Sequence, residues 1–232
     1  MPITDFASYL PTMDAFIAHW AAVNAWLAAR GEPEVLLRDG SPLPELVRAR
    51  AELASLLQRV EAASERRERR RDARRWLQEE LRARLAQLRD AILLSLSESP
   101  WAGWARALRL LDPADGRYLG ELDAALVAWD EIDRNPSLPS VPLLLGGGYG
   151  RGDFREDVRR FRVAGREERE AVRLFRALLR TRDVTCGRVM DSLTQYRCAV
   201  RFDREMDPSL LRSLPARMPS SYRPGAPAGE HW

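Results

Sequence analysis

Lysine is absent from this chain of 232 residues, and all 37 basic residues are arginine. Without an ε-amine there is no Schiff-base chemistry and no P-loop lysine. Every cation is instead a planar fork suited to carboxylate or phosphate. Histidine and cysteine are scarce, two of each: His19, His231, Cys186 and Cys198. No CxxC or HExxH spacing occurs, which argues against a zinc site. The two cysteines stand twelve apart on one predicted helix, ~18 Å at 1.5 Å per residue. A disulfide needs Cα atoms within about 7 Å, so they cannot pair with each other. With so few histidines, no Ser/His/Asp or Cys/His set can be assembled. The expectation is a protein that is not an enzyme, takes no metal and no cofactor, and has no identifiable small-molecule substrate. Long hydrophobic runs are missing too. The opening MPITDFASYLPTMDAF has neither a basic n-region nor an uninterrupted apolar stretch. No secretion signal and no membrane contact are therefore expected, and the expected compartment is the cytoplasm.

What is present is a soluble globular balance, 45% apolar and 31% charged, and an internal repeat. Residues 9–24, YLPTMDAFIAHWAAVN, lie over 118–133, YLGELDAALVAWDEID, at an offset of 109. Tyr9, Leu10, Asp14, Ala15 and Trp20 recur as Tyr118, Leu119, Asp123, Ala124 and Trp129; Asn24 matches Asp133. At an offset of 108, VLLRDGSPLPEL (35–46) lies over LLLGGGYGRGDF (143–154), Leu53 over Phe161 and Pro100 over Pro208. The reading is a duplication. Repeat 1, residues 1–112, is a short helix, a turn, a long helix over about 44–97 and a terminal helix. Repeat 2, residues 113–214, is a short helix, a Pro/Gly loop, a long helix over about 153–201 and a terminal segment. Residues 215–232, with four prolines and two glycines, read as a disordered tail.

Periodicity fills in the elements. Met13, Phe16, Trp20, Val23 and Leu27 form one apolar stripe on a helix that Thr12 can cap and Gly31 can stop. In the first long helix Leu46, Leu53, Leu57 and Val60 are apolar, as are Leu81, Leu85, Leu88 and Ile92. Between them the seam reads Ser64, Arg67, Arg71, Arg74 and Gln78, which wants no apolar partner. The second long helix has an unbroken heptad seam from Phe154 through Phe161, Val172, Phe175, Cys186, Val189, Leu193 and Tyr196 to Val200. Asp153 can cap it, and Gly165 is its weak point and a place for a bend. The predicted fold is all-α: an elongated helical bundle of coiled-coil-like long helices, with two copies about a pseudo-twofold. Leu36 and Leu144 are expected near each other or in equivalent buried sites.

Charge is segregated. Residues 65–75, ERRERRRDARR, carry net +4, residues 151–182 carry net +5, and the rest of the chain is acidic. Arg66, Arg67, Arg70, Arg71, Arg74 and Arg75 form the candidate partner or anion surface. Trp101 and Trp104 form a candidate aromatic contact, with core packing as the plainer explanation. GGGYGRGD (146–153) follows an apolar run and opens a helix, but fits neither GxGxxG nor GxxxxGK[ST], so a turn explains it. Its Arg-Gly-Asp tripeptide reads as coincidence, and Asp14 and Asp123 read as helix N-terminal charges. The function expected is a structural or scaffold protein that self-associates as a homo-oligomer, or docks on another protein, through its long helical seams. The alternative is a polyanion-binding module, with nucleic acid above all, that uses the arginine-rich middle.

Overall fold

The computed structural model describes residues 8–108, 117–135, 142–203 and 205–216. Among them are six helices and no strand: α1 (Tyr9–Ala29), α2 (Leu43–Ser95), α3 (Pro100–Ala107), α4 (Tyr118–Asp133), α5 (Arg151–Phe202) and α6 (Pro208–Ser213). The fold is all-α, dominated by two long helices that pack on each other. The tail expected from residue 215 lies, beyond 216, outside the described residues, as does most of the proline loop.

Contacts divide the chain into two compact units, residues 1–63 with 174–232, and residues 64–173. Each unit is built from the beginning of one long helix and the end of the other, so the compact units are cut at other places than the repeats expected from the sequence.

In the first unit, α1 lays Met13, Phe16, Trp20, Val23 and Leu27 against Leu46 and Leu53 of α2 and Cys186, Val189, Leu193, Tyr196 and Val200 of α5. Each such burial is worth about 1.5–3 kcal/mol. Trp20 stacks on Tyr196 with ring centroids 4.6 Å apart. Leu56, Ala63 and Leu178 continue the α2–α5 contact with the two helices antiparallel. α1 ends in a Schellman turn: Gly31 takes φ +72°, its N–H reaches Ala28 O, and the Glu32 N–H reaches Leu27 O. In the second unit, α4 lays Tyr118, Leu122, Ala125, Trp129 and Ile132 against Leu81, Leu85, Leu88 and Ile92 of α2 and Phe154, Val158 and Phe161 of α5.

The same hydrogen bonds recur in both units at the sequence offset. Trp20 Nε1 donates to Val35 O (3.3 Å), and Trp129 Nε1 donates to Leu143 O (3.1 Å). The Val35 N–H donates to Asn24 Oδ1 (3.1 Å), and the Leu143 N–H to Asp133 Oδ1 (3.0 Å). The Leu37 N–H reaches Ser41 O, and the Leu145 N–H reaches Tyr149 O. An extended segment cannot satisfy its own backbone, so the helix before it does. Gly40 (φ +83°) and Gly148 (φ +77°) close the two turns in the left-handed region.

Several local expectations are corrected. Thr12 lies inside α1, where its hydroxyl donates to Ser8 O rather than capping. Leu36 and Leu144 are both exposed, and Leu37, Leu143 and Leu145 take the buried places. In an extended piece, neighbouring side chains face opposite ways, so one position decides which is covered. Asp153 sits three residues after the cap, Gly150, and its Oδ2 accepts the Gly150 N–H, the reach-back half of a capping box.

Candidate functional site: the arginine-lined helix pair

The second unit carries the arginine run on α2 and faces it with α5. The run divides by helical face. Arg70 and Arg74 turn toward α5 and pair with Glu167 (2.8 Å) and Glu168 (2.7 Å). The Arg74 guanidinium also lies over the Phe161 ring, 5.5 Å from its centroid. Arg67 is half-buried and pairs with Glu68, and Arg75 pairs with Glu79 one turn on. Arg66 and Arg71 are exposed and make no ion pair among the described residues. The six arginines thus do not present one surface. Arg70 and Arg74 join helices, and Arg66 and Arg71 are available to a ligand. Arg71, placed in the seam by heptad counting, stands outside it, whereas Arg67 and Arg74 are in it.

Trp101 and Trp104 are half-buried against the core of the second unit, and Trp101 Nε1 donates to Glu131. Among the described residues the indole left in solvent is Trp76, 64% exposed. It borders a groove of about 450 Å³ floored by Ala73, Leu77, Val163 and Ala164 and rimmed by Arg70, Arg159, Arg160 and Glu167. Arg159 and Arg160 pair with Glu156, so the rim is charged but internally compensated. The hydrogen bond from Arg159 holds the Glu156 carboxyl down at about 2. The sequence signal for this groove is one tryptophan at the end of a charged run, with alanines one turn before it and one turn away on the facing helix.

The remaining sequence candidates have structural explanations. Arg151 of the Arg-Gly-Asp tripeptide pairs with Asp130 and Asp133 of α4. Asp14 and Asp123 reach across to arginines of the long helices, Arg50 and Arg162. Their role is cross-helix pairing, since both stand past the first turn. His19 is buried: Nε2 is 2.9 Å from Leu210 O and Nδ1 is 2.7 Å from Tyr196 Oη. A carbonyl only accepts, so Nε2 carries the proton and Nδ1 accepts the Tyr196 hydroxyl. Cys186 is a buried free thiol pushed up to about 11 by desolvation, which keeps it protonated and inert. Among the described residues no group of three or more His, Cys, Asp or Glu side chains could hold a metal ion. No described helix is long and apolar enough to cross a membrane.

Compared with protein-family models, curated proteins and solved structures, the chain matches none. Its function must therefore be argued from its own surfaces.

Proposed function

We propose that this chain is a non-enzymatic helical scaffold, a tandem duplication of one helical unit, that self-associates through the Trp76 groove. The supporting observation is the indole itself. A tryptophan 64% exposed beside an apolar groove leaves a large apolar area in water, and such residues dominate the energetics of protein interfaces. The groove is lined by side chains of α2 and α5 and is open at the surface, so a partner can fill it without entering the core. A second copy offers the matching chemistry: a symmetric contact would place Trp76 of each copy against the apolar floor of the other.

The test is the molar mass of the parent and of Trp76→Ala by light scattering across a concentration series. A parent heavier than one chain and a variant that returns to one chain are expected. A parent that stays monomeric at every concentration refutes self-association. A second reading, polyanion binding, is favoured by Arg66 and Arg71, which are exposed and without ion pairs. It expects a mixed-sequence oligonucleotide to bind with an affinity that falls steeply with salt, and Arg66→Gln with Arg71→Gln to flatten that slope.

A further inference from the structure

A second depression in the same unit has a different character, and the inference from it does not depend on the assembly reading. It measures about 250 Å³ and is lined by Arg74, Arg162, Arg166 and Arg169, with Phe161 and Leu119 as its apolar walls and Gly165 among its lining residues. Gly165 is buried in mid-helix, where glycine is unfavourable for a helix. A Cβ added there would stand 3.8 Å from Arg169 Nη1 and 3.8 Å from Arg74 Nε. Two guanidinium groups therefore converge on the space that a side chain would fill.

The charges around this space are not balanced. Arg74 gives Nη1 to Glu168, yet its buried Nε has no hydrogen-bond partner. Arg162 is paired with Asp123. Arg166 and Arg169 are exposed and have no ion pair among the described residues. Two compensated cations, two uncompensated cations and one orphaned N–H leave room for two negative charges. Guanidinium forks suit phosphoryl oxygens, and the apolar wall of Phe161 lowers the local dielectric, which strengthens the attraction. The volume falls below the 300–1,000 Å³ or so typical of drug-sized ligands, which selects a small anion.

The first unit supplies an internal comparison. At the offset of 108, Gly165 corresponds to Leu57, Arg162 to Ala54, Arg166 to Gln58 and Arg169 to Glu61. Leu57 packs against the core of its unit. The equivalent space in the first unit is thus occupied by the protein's own leucine and flanked by no cation at these three positions.

We propose that the arginine-lined depression over Gly165 is a binding site for a small phosphorylated solute, which it holds by a dianionic phosphoryl group. The probe is pyrophosphate, titrated calorimetrically into the full chain in phosphate-free buffer at low salt. Saturable binding at one site per chain is expected. Arg166→Gln and Arg169→Gln should each weaken it at least about tenfold, as expected when one charge-assisted contact is lost. Both side chains are exposed and carry no ion pair, so folding is retained. Gly165→Leu should abolish binding, because it rebuilds the leucine of the first unit. Arg71→Gln, an exposed arginine outside the depression, should bind like the parent. The absence of saturation at millimolar pyrophosphate overturns the proposal, as does equal weakening by Arg71→Gln and Arg169→Gln. Tight binding of a mixed-sequence oligonucleotide that pyrophosphate cannot displace also overturns it and assigns the arginines to a polyanion instead. If Gly165→Leu fails to fold, the two arginine variants decide alone.

Discussion

The two units solve one packing problem with the same anchors and different fillings. In each, a tryptophan of the short helix donates to the carbonyl of an extended residue, and an Asn or Asp four positions later accepts that residue's N–H. Around these anchors the first unit places larger side chains at two positions. Tyr196 stacks on Trp20 and bonds to His19, and Leu57 packs inward. The second unit places Ala128 and Gly165 where the first has His19 and Leu57, and surrounds the glycine with arginines. Shared residues therefore mark what holds the fold, and the differing ones mark where the second unit keeps space and charge that the fold does not need.

The largest effects should come from the anchors. Trp20→Ala and Trp129→Ala each remove a fully buried indole and its hydrogen bond, a loss of about 3–5 kcal/mol. Thermal or urea unfolding of the two variants should show similar destabilisation. A difference of more than about 2 kcal/mol would break the equivalence and make one unit the main source of stability.

The anchors were legible in the sequence because they recur as Tyr-Leu…Asp-Ala…Trp at a fixed offset. So was burial at the two ends of α5, where Phe154, Val158, Phe161, Cys186, Val189, Leu193, Tyr196 and Val200 all come from its heptad and are buried; in the middle the heptad misses, since Val172 and Phe175 are half-buried and Ala171 and Leu178 take the buried places. A heptad states that a face needs a partner but does not name it. That is why the joining of the start of α2 with the end of α5 was not legible, nor the compact units that result. The arginine run was visible, but not its division. Whether Arg70 pairs and Arg71 does not depends on one 100° step around the helix and on Glu167 standing opposite, a contact 97 residues away in sequence. The exposure of Trp76 and the space over Gly165 also depend on the neighbouring helix.

Next in size is alkaline unfolding. Burial pushes Tyr118 up to about 12, and raises Tyr149 and Tyr196 as well, the Asp157 contact adding to the rise at Tyr149. The folded state therefore favours the neutral phenol. Below the ordinary tyrosine value of about 10, these groups are protonated in both states and stability is unaffected. Above it the unfolded chain releases protons first, and stability falls until the folded value is reached. Two of these tyrosines lie in the second unit, so Tyr118→Phe should relieve part of the loss, about 2–3 kcal/mol at most. Melting temperatures of the parent that stay level between pH 9 and 11.5 would contradict the burial of these hydroxyls.

A smaller effect belongs to the first unit alone. His19→Ala leaves the Tyr196 hydroxyl and Leu210 O without their shared partner, at a cost of about 1–3 kcal/mol. The reverse change, Ala128→His in the second unit, should also destabilise, because the offset places Leu88 where Tyr196 would be needed. If Ala128→His is neutral, that position is not packed like its counterpart, and the comparison of the two units fails there.

The smallest effect is the most diagnostic of the charge difference. Asp14–Arg50 and Asp123–Arg162 are equivalent in purpose, and all four side chains are about equally exposed. Exposed pairs contribute about 0.2–1 kcal/mol, so the two couplings, measured by double-mutant cycles, should be alike in high salt. At low salt they should part. Asp123 offsets one cation in a set that also holds Arg74, Arg166 and Arg169, and removing it leaves these charges to repel one another. Asp123→Asn should then cost more than Asp14→Asn, and the excess should vanish as the Debye length shortens from about 10 Å at 0.1 M to about 3 Å at 1 M. Pyrophosphate should restore the loss in Asp123→Asn and do nothing for Asp14→Asn, since a ligand that binds only the folded chain stabilises it by mass action. Identical salt dependence in the two variants would show that the arginines around Gly165 do not act as a set.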